Sequence, residues 1–181
     1  MEGKVLMTEL HTKRLYLRKM KVADASSLFR IWSDPDVTKF MNISSFTSEN
    51  QAKDMIELLD GLAQSNEAIR FSIIELESTE IIGSCGYNTL DFEHAKAEIG
   101  YDIAQAFWGK GYATEAINSL VEHAFTTLAL NRIEAKVHPE NVNSIKVLQK
   151  LNFTFEGTLR QTERVNGQFH DLNIYSKLRT D

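Results

Sequence analysis

Between Ala97 and Thr114 the chain reads AEIGYDIAQAFWGKGYAT, and its periodicity changes in the middle of that run. The first half alternates as a half-buried strand does. The second half sets Gly109 and Gly111 around Lys110. It then continues, without a proline or turn cluster, into Ala113, Ala116, Ile117, Leu120, Val121, Ala124, Phe125 and Leu128, an apolar stripe at helical spacing. The spacing predicts strand, glycine loop, helix. Such a loop leaves the first N–H groups of the helix without backbone partners and lets them approach an anion closely, so phosphate or diphosphate is its natural guest. Glycines at a strand-to-helix turn are also used for purely structural reasons, and spacing alone leaves both uses open.

Length and composition narrow the setting of this loop. A chain of 181 residues, 43% apolar and 25% charged, predicts a single domain with a sizeable core. Residues 1–20 carry Glu2, Lys4, Glu9, Lys13, Arg14 and Arg18 with no apolar run between them, so neither a signal peptide nor a membrane span is expected, and the location is expected to be cytoplasmic. One cysteine, Cys85, excludes an internal disulfide and a thiolate-rich metal site. The histidines His11, His94, His123, His138 and His170 show no metal-ligand spacing, so no metal is expected. A net charge of −5 argues against direct binding to nucleic acid, and weakly suits a cationic substrate. Dinucleotide-binding and Walker loops are excluded, because neither G-x-G-x-x-G near an early strand nor G-x-x-x-x-G-K-[ST] is present.

Taken in order, residues 14–20 alternate and read as a first strand, with Asp24 as the N-cap of a helix carrying Leu28, Phe29, Ile31 and Trp32. SDPDV breaks that helix. Ser48 with Gln51 forms a capping-box pattern before a helix through Ala52, Met55, Ile56, Leu59 and Leu62. Residues 70–76 and 81–89 are β-rich runs joined by ESTE, a hairpin signal. After the long helix, RIEAKV at 132–137 reads as a strand and HPENVNS as a break before a helix with Ile145, Val147, Leu148 and Leu151. Strands at about 153–163 and 168–178 flank the turn signal Asn166-Gly167. The expectation is a mixed α/β fold: a predominantly antiparallel seven-stranded sheet with about four helices on its faces.

This order and two motifs resemble the GNAT superfamily of acetyl-coenzyme A dependent N-acetyltransferases, over a core from about residue 10 to 178. The superfamily loop Q/R-x-x-G-x-G/A is matched by Trp108-Gly109-Lys110-Gly111-Tyr112-Ala113, with Trp108 in place of Gln or Arg. A second motif, N-x-x-S-x-x-V-L-x-K-x-x-F, is carried by Asn141, Ser144, Val147, Leu148, Lys150 and Phe153. With EIGY before the loop and NGQFHDLNIYS near the end, the chain is similar to the subgroup that acetylates the N-termini of ribosomal proteins.

The resemblance implies that acetyl-CoA is the co-substrate. The backbone of Tyr101, Asp102 and Ile103 would hold pantetheine and the thioester. The loop Trp108, Gly109, Lys110, Gly111, Tyr112, Ala113 and Thr114 would hold the diphosphate, and Asn141 and Ser144 would lie against the cofactor. The family's usual tyrosine acid corresponds to Leu148, so the resemblance moves thiolate protonation to Ser144. Glu98, a few residues before the thioester site, is the candidate base, and a solvent-facing role is open to it by strand alternation. His170 and Asp171 are candidates for the acceptor side, or ordinary hairpin residues. Asn152 stands where the family has glycine, and is the next-best residue for a left-handed helix end. The implied function is direct acetyl transfer to the N-terminal amine of a protein. The alternatives are acetylation of a small amine (antibiotic, polyamine or amino sugar) and a non-catalytic acyl-CoA binding module. Monomer and homodimer are both open.

Overall fold

The computed structural model describes residues 9–181, so the opening charges at Glu2 and Lys4 lie outside the described residues. Among these, eight strands form one sheet: β1 (Glu9–His11), β2 (Leu15–Lys19), β3 (Ile69–Glu75), β4 (Ile81–Asp91), β5 (Lys96–Ile103), β6 (Arg132–Val137), β7 (Thr154–Val165) and β8 (Gln168–Leu178). Their order across the sheet is β1-β2-β3-β4-β5-β6-β8-β7, antiparallel throughout except where β5 meets β6. The helices are α1 (Ala25–Trp32), α2 (Pro35–Thr38), α3 (Glu49–Gln64), α4 (Tyr112–Thr126) and α5 (Val142–Lys150).

Two short elements exceed the sequence expectation. β1, with three residues, is too short to display a period; it is held by β2, with His11 stacked on Tyr16 at 4.5 Å. SDPDV does end α1, but then starts the one-turn α2, because Asp34 accepts from the Asp36 N–H at 2.9 Å and Pro35 fits the first helical position. Asp24 stands at the head of α1 without capping it. Its buried carboxylate instead takes both Arg18 guanidinium nitrogens at 2.7 Å, the Ser72 hydroxyl at 2.8 Å and the Lys21 N–H at 3.0 Å. The predicted cap of α3 is present, Gln51 accepting from the Ser48 N–H at 3.2 Å.

Two apolar clusters cover the sheet. One joins strand residues such as Phe71, Ile99 and Ile133 to Ala116, Ile117 and Leu120 of α4 and Leu148 of α5; the other joins Leu28, Ile31 and Trp32 of α1 to Ala52 and Ile56 of α3. Ile117 and Leu120 are almost completely buried, and each contributes about 1.5–3 kcal/mol. Helix α4 is therefore anchored by its stripe, which frees the loop before it from a packing role.

Two irregularities open the centre of the sheet. The parallel pairing of β5 and β6 ends at Ile99 with Ala135; beyond it β5 continues to Ile103 against β4, and β6 to Val137 against β8. A gap results between the two strands. On the other side of β5 the register with β4 shifts between Tyr87 and Thr89, leaving Asn88 as an extra, unopposed residue. Asn152 ends α5 at φ 62°, the left-handed geometry that explains asparagine there, and Asn166 and Gly167 turn the last hairpin at φ 51° and 78°.

Candidate active site

The gap opens into a cavity of about 660 Å³ lined from both faces of the sheet. Strand alternation sends Glu98, Gly100 and Asp102 to the α1–α3 face, and Ile99, Tyr101 and Ile103 to the α4–α5 face. On the second face Ser144, in the first turn of α5, lies with its Oγ 2.7 Å from the Tyr101 hydroxyl. Asn141 caps that helix, its Oδ1 accepting from the Ser144 N–H at 3.3 Å. Burial pushes the Tyr101 phenol above its ordinary pKa, with the Ser144 hydrogen bond pulling the other way, so the phenol is protonated at neutral pH. Leu148 lines the same cavity as hydrocarbon. A tyrosine hydroxyl, absent at 148, does reach the cavity from β5 as that of Tyr101, a residue singled out from the sequence only for its backbone.

The first face carries charge. Arg70 on β3 donates to Asp102 at 2.8 Å, to Ser84 Oγ at 2.9 Å and to Asn88 Oδ1 at 3.0 Å. Asp102 is buried in that network, and Ser84 also hydrogen-bonds to it, so its side chain has a structural duty besides any use of its backbone. Glu98 lines the cavity with Lys136 Nζ 3.6 Å from its carboxylate. Glu163 of β7 lines it too, paired through a 2.9 Å contact with His138 Nε2, both side chains mostly buried. His170 packs edge-on against His138 at 5.1 Å, and Asp171 accepts from the Gln161 N–H at 2.8 Å. Neither His170 nor Asp171 is among the lining residues; His138, Glu163 and Arg164 take that position.

Arg70, Asn88, His138 and Glu163 were not singled out from sequence as site residues. The single hint available was His138 directly after a strand and just ahead of the Asn141 motif.

The glycine loop lies outside this cavity, and its backbone fits an anion. Gly109 and Gly111 adopt φ 73° and 80°, and Gly111 is the N-cap of α4. Among the described residues, no hydrogen bond is made by the N–H groups of Gly109 to Thr114. The side chains around them are otherwise employed. Trp108 donates its indole N–H to the Ile103 carbonyl at 2.7 Å, Lys110 Nζ lies 5.3 Å from the Phe107 ring, and the Tyr112 hydroxyl is bound by buried Glu75. Arg14 clamps the loop from the β1–β2 turn, donating to the Lys110 carbonyl at 2.9 Å and to Glu115 at 2.8 Å, with its guanidinium 4.3 Å from the Tyr112 ring centroid.

Burial pushes the Cys85 thiol up to about 12, so it is protonated and buried and is no acetyl-carrying nucleophile. Among the described residues no group of three or more His, Cys, Asp or Glu is placed to hold a metal ion, and no helix is long and apolar enough to cross a membrane.

Comparison with known proteins matches residues 14–154 to the family described as acetyltransferase (GNAT) domain. An uncharacterized N-acetyltransferase, p20, of Bacillus licheniformis is 50% identical over 175 residues, 97% of this chain and 98% of its own length. The ribosomal-protein-serine acetyltransferase of Escherichia coli is 28% identical over 131 residues, 72% of each chain. Among solved structures, the microcin C7 self-immunity acetyltransferase MccE, in complex with acetyl-CoA and AMP, superimposes with a TM-score of 0.85 at 28% identity, covering 92% of this chain and 93% of that one. The anion-ready loop, the parted strands and these matches agree: the chain belongs to the GNAT family of acetyltransferases, enzymes that use acetyl-CoA.

Proposed function

We propose that this acetyltransferase modifies the N-terminal α-amine of a protein, ribosomal proteins being the leading class, by direct attack within a ternary complex. The observation that carries the reading is the cavity lined from both faces of the sheet at the β5–β6 gap, which lets a donor on the α4–α5 side meet an acceptor on the α1–α3 side without a covalent enzyme intermediate. Acetyl-CoA supplies the activated acyl group. The loop from Trp108 to Thr114 binds diphosphate through backbone N–H groups at the positive end of α4. The edge of β5 past Ile99 turns the Tyr101 and Ile103 N–H groups away from β4, offering donors where charge develops on the carbonyl oxygen. Ser144 gives a proton to the leaving thiolate, with the Tyr101 phenol behind it.

The acceptor side favours an α-amine. Its lining cations Lys136 and Arg164 offset the carboxylates Glu98 and Glu163, Arg70 being paired with Asp102, which is a poor environment for a polyamine carrying several ammonium groups. An α-amine with pKa ~7.7–8.0 is roughly one-seventh neutral at pH 7, so a strong base is unnecessary. The likeness to the Escherichia coli ribosomal-protein-serine acetyltransferase supports the same choice, and with it a cytoplasmic location.

The test is thiol release from acetyl-CoA with peptides bearing free or blocked N-termini, alongside polyamines and amino sugars. Turnover with free N-termini and loss on blocking are expected; turnover confined to small amines would overturn the assignment. Glu98 receives the amine proton, so Glu98→Gln is expected to lower the rate by at most about tenfold at pH 7, a loss that fades by pH 9 as the amine becomes neutral by itself. Glu163→Gln measured beside it separates the two carboxylates: a pH-dependent loss confined to that variant moves the role to the His138 partner.

A further inference from the structure

The bulge in β4 has a chemical consequence at the mouth of the gap. Gly86 pairs with Gly100 and Tyr87 with Ile99, but the next pair is Thr89 with Glu98. Asn88 is the residue left over, and bulges beside active sites commonly re-aim one side chain. Here the flanking Tyr87 stays fully buried under α4, its hydroxyl donating to the Leu120 carbonyl at 2.6 Å. Asn88 goes to the other face and lines the cavity.

Its amide is held in one orientation. Arg70 donates to Asn88 Oδ1 at 3.0 Å, and Arg70 is itself fixed by Ser84 at 2.9 Å and by the ion pair with buried Asp102 at 2.8 Å. The side chain lies flat on the bare backbone of Gly100: a Cβ added to that glycine would come 2.6 Å from Nδ2 and 3.1 Å from Oδ1. Arg70 donating to Oδ1 fixes which end of the amide is which, and leaves the two N–H donors on Nδ2 free. Among the described residues nothing accepts from them. Gly100 is also the first residue of β5 past the last pair with β6, so these donors stand where the strands part, beside the point an attacking amine must reach.

A donor in this position, next to a guanidinium whose charge is already neutralised by Asp102, selects an acceptor oxygen without charge. The carbonyl of an α-aminoacyl group supplies one at a fixed separation from the amine; an isolated alkyl amine or a polyamine does not. We infer that Asn88 Nδ2 donates a hydrogen bond to the carbonyl oxygen of the acceptor's first residue, making Asn88 the side chain that distinguishes a peptide N-terminus from a simple amine. The Arg70, Ser84 and Asp102 network serves as its positioning support. This rests on the N-terminal α-amine reading and gives that reading a residue.

The experiment uses a matched pair of acceptors: an alanyl amide with a free N-terminus, and a methylene analogue in which CH2–CH2 replaces the first CO–NH unit, so that the carbonyl is lost without creating a second basic nitrogen. The value of kcat/KM is measured for wild type, Asn88→Ala and Asn88→Asp. Aspartate keeps the shape and the Arg70 contact while removing both donors, so it guards against a fold defect in the alanine variant. Each variant is expected to lose about 10- to 100-fold on the carbonyl-bearing acceptor and to stay within about twofold of wild type on the methylene analogue, with acetyl-CoA affinity unchanged. Equal losses on both acceptors, or none on either, would overturn the role of Asn88 while leaving the N-terminal reading intact. A wild-type enzyme that turns over only the methylene analogue would overturn that reading, and the inference with it.

Discussion

Replacing Ser144 with alanine is expected to slow the single-turnover acetyl transfer by about 10²–10³-fold while leaving acetyl-CoA affinity within about twofold. Three features concentrate the effect on the chemical step. The hydroxyl lies in the first turn of α5, where the helix end favours the developing thiolate; it is nearly buried, so bulk water is a poor substitute; and its 2.7 Å contact with Tyr101 supplies a second protonated hydroxyl. Tyr101→Phe keeps Ser144 but removes the resupply, and an intermediate loss of about tenfold follows. An unchanged rate in the alanine variant would remove Ser144 as the acid. A parallel fall in acetyl-CoA affinity would instead make it a binding residue.

Gly111→Val is expected to weaken acetyl-CoA binding by about 100-fold or more, as read by calorimetric titration. At φ 80° an L residue is strained by about 1–2 kcal/mol, and a β-branched one suffers most. The added Cβ would lie 3.4 Å from Arg14 Nη2, so the rest of the valine must press on the clamp or turn toward the open N–H groups of the loop. Because α4 is anchored by Ile117 and Leu120, the fold survives and the melting temperature drops by only a few degrees. Retained affinity in a folded variant would sink the assignment of the diphosphate to this loop.

The periodic part of the fold was legible because burial imposes period. RIEAKV at 132–137 is β6 as predicted, and the Ser48 and Gln51 pattern starts α3. What escaped has no period to show. A three-residue strand is defined only by its neighbour, and a bulge is a mismatch between two strands that neither sequence displays alone. The glycine loop and the cap of α5 were legible because their backbone geometry demands glycines and a capping side chain at fixed spacing. The rest of the cavity lining depends on side chains brought together from β3, β4, β7 and the end of β6, such as Arg70 with Asn88 and His138 with Glu163, whose separations of 18 and 25 residues carry no local signal. Tyr101 shows the limit from the other direction: its position was identified for backbone reasons, while its hydroxyl completes the pair with Ser144.

The Arg14 clamp also settles a competition. Glu115 sits in the first turn of α4, and a free carboxylate there is an anion tethered beside the very helix end proposed for the diphosphate. Its oxygens are instead occupied by the Thr12 hydroxyl, the Arg14 N–H at 2.9 Å and the Arg14 Nε at 2.8 Å. The turn between the first two strands is thus a counterion built into the chain, and with the diphosphate at this helix end it would keep the enzyme's own negative charge from competing with its co-substrate.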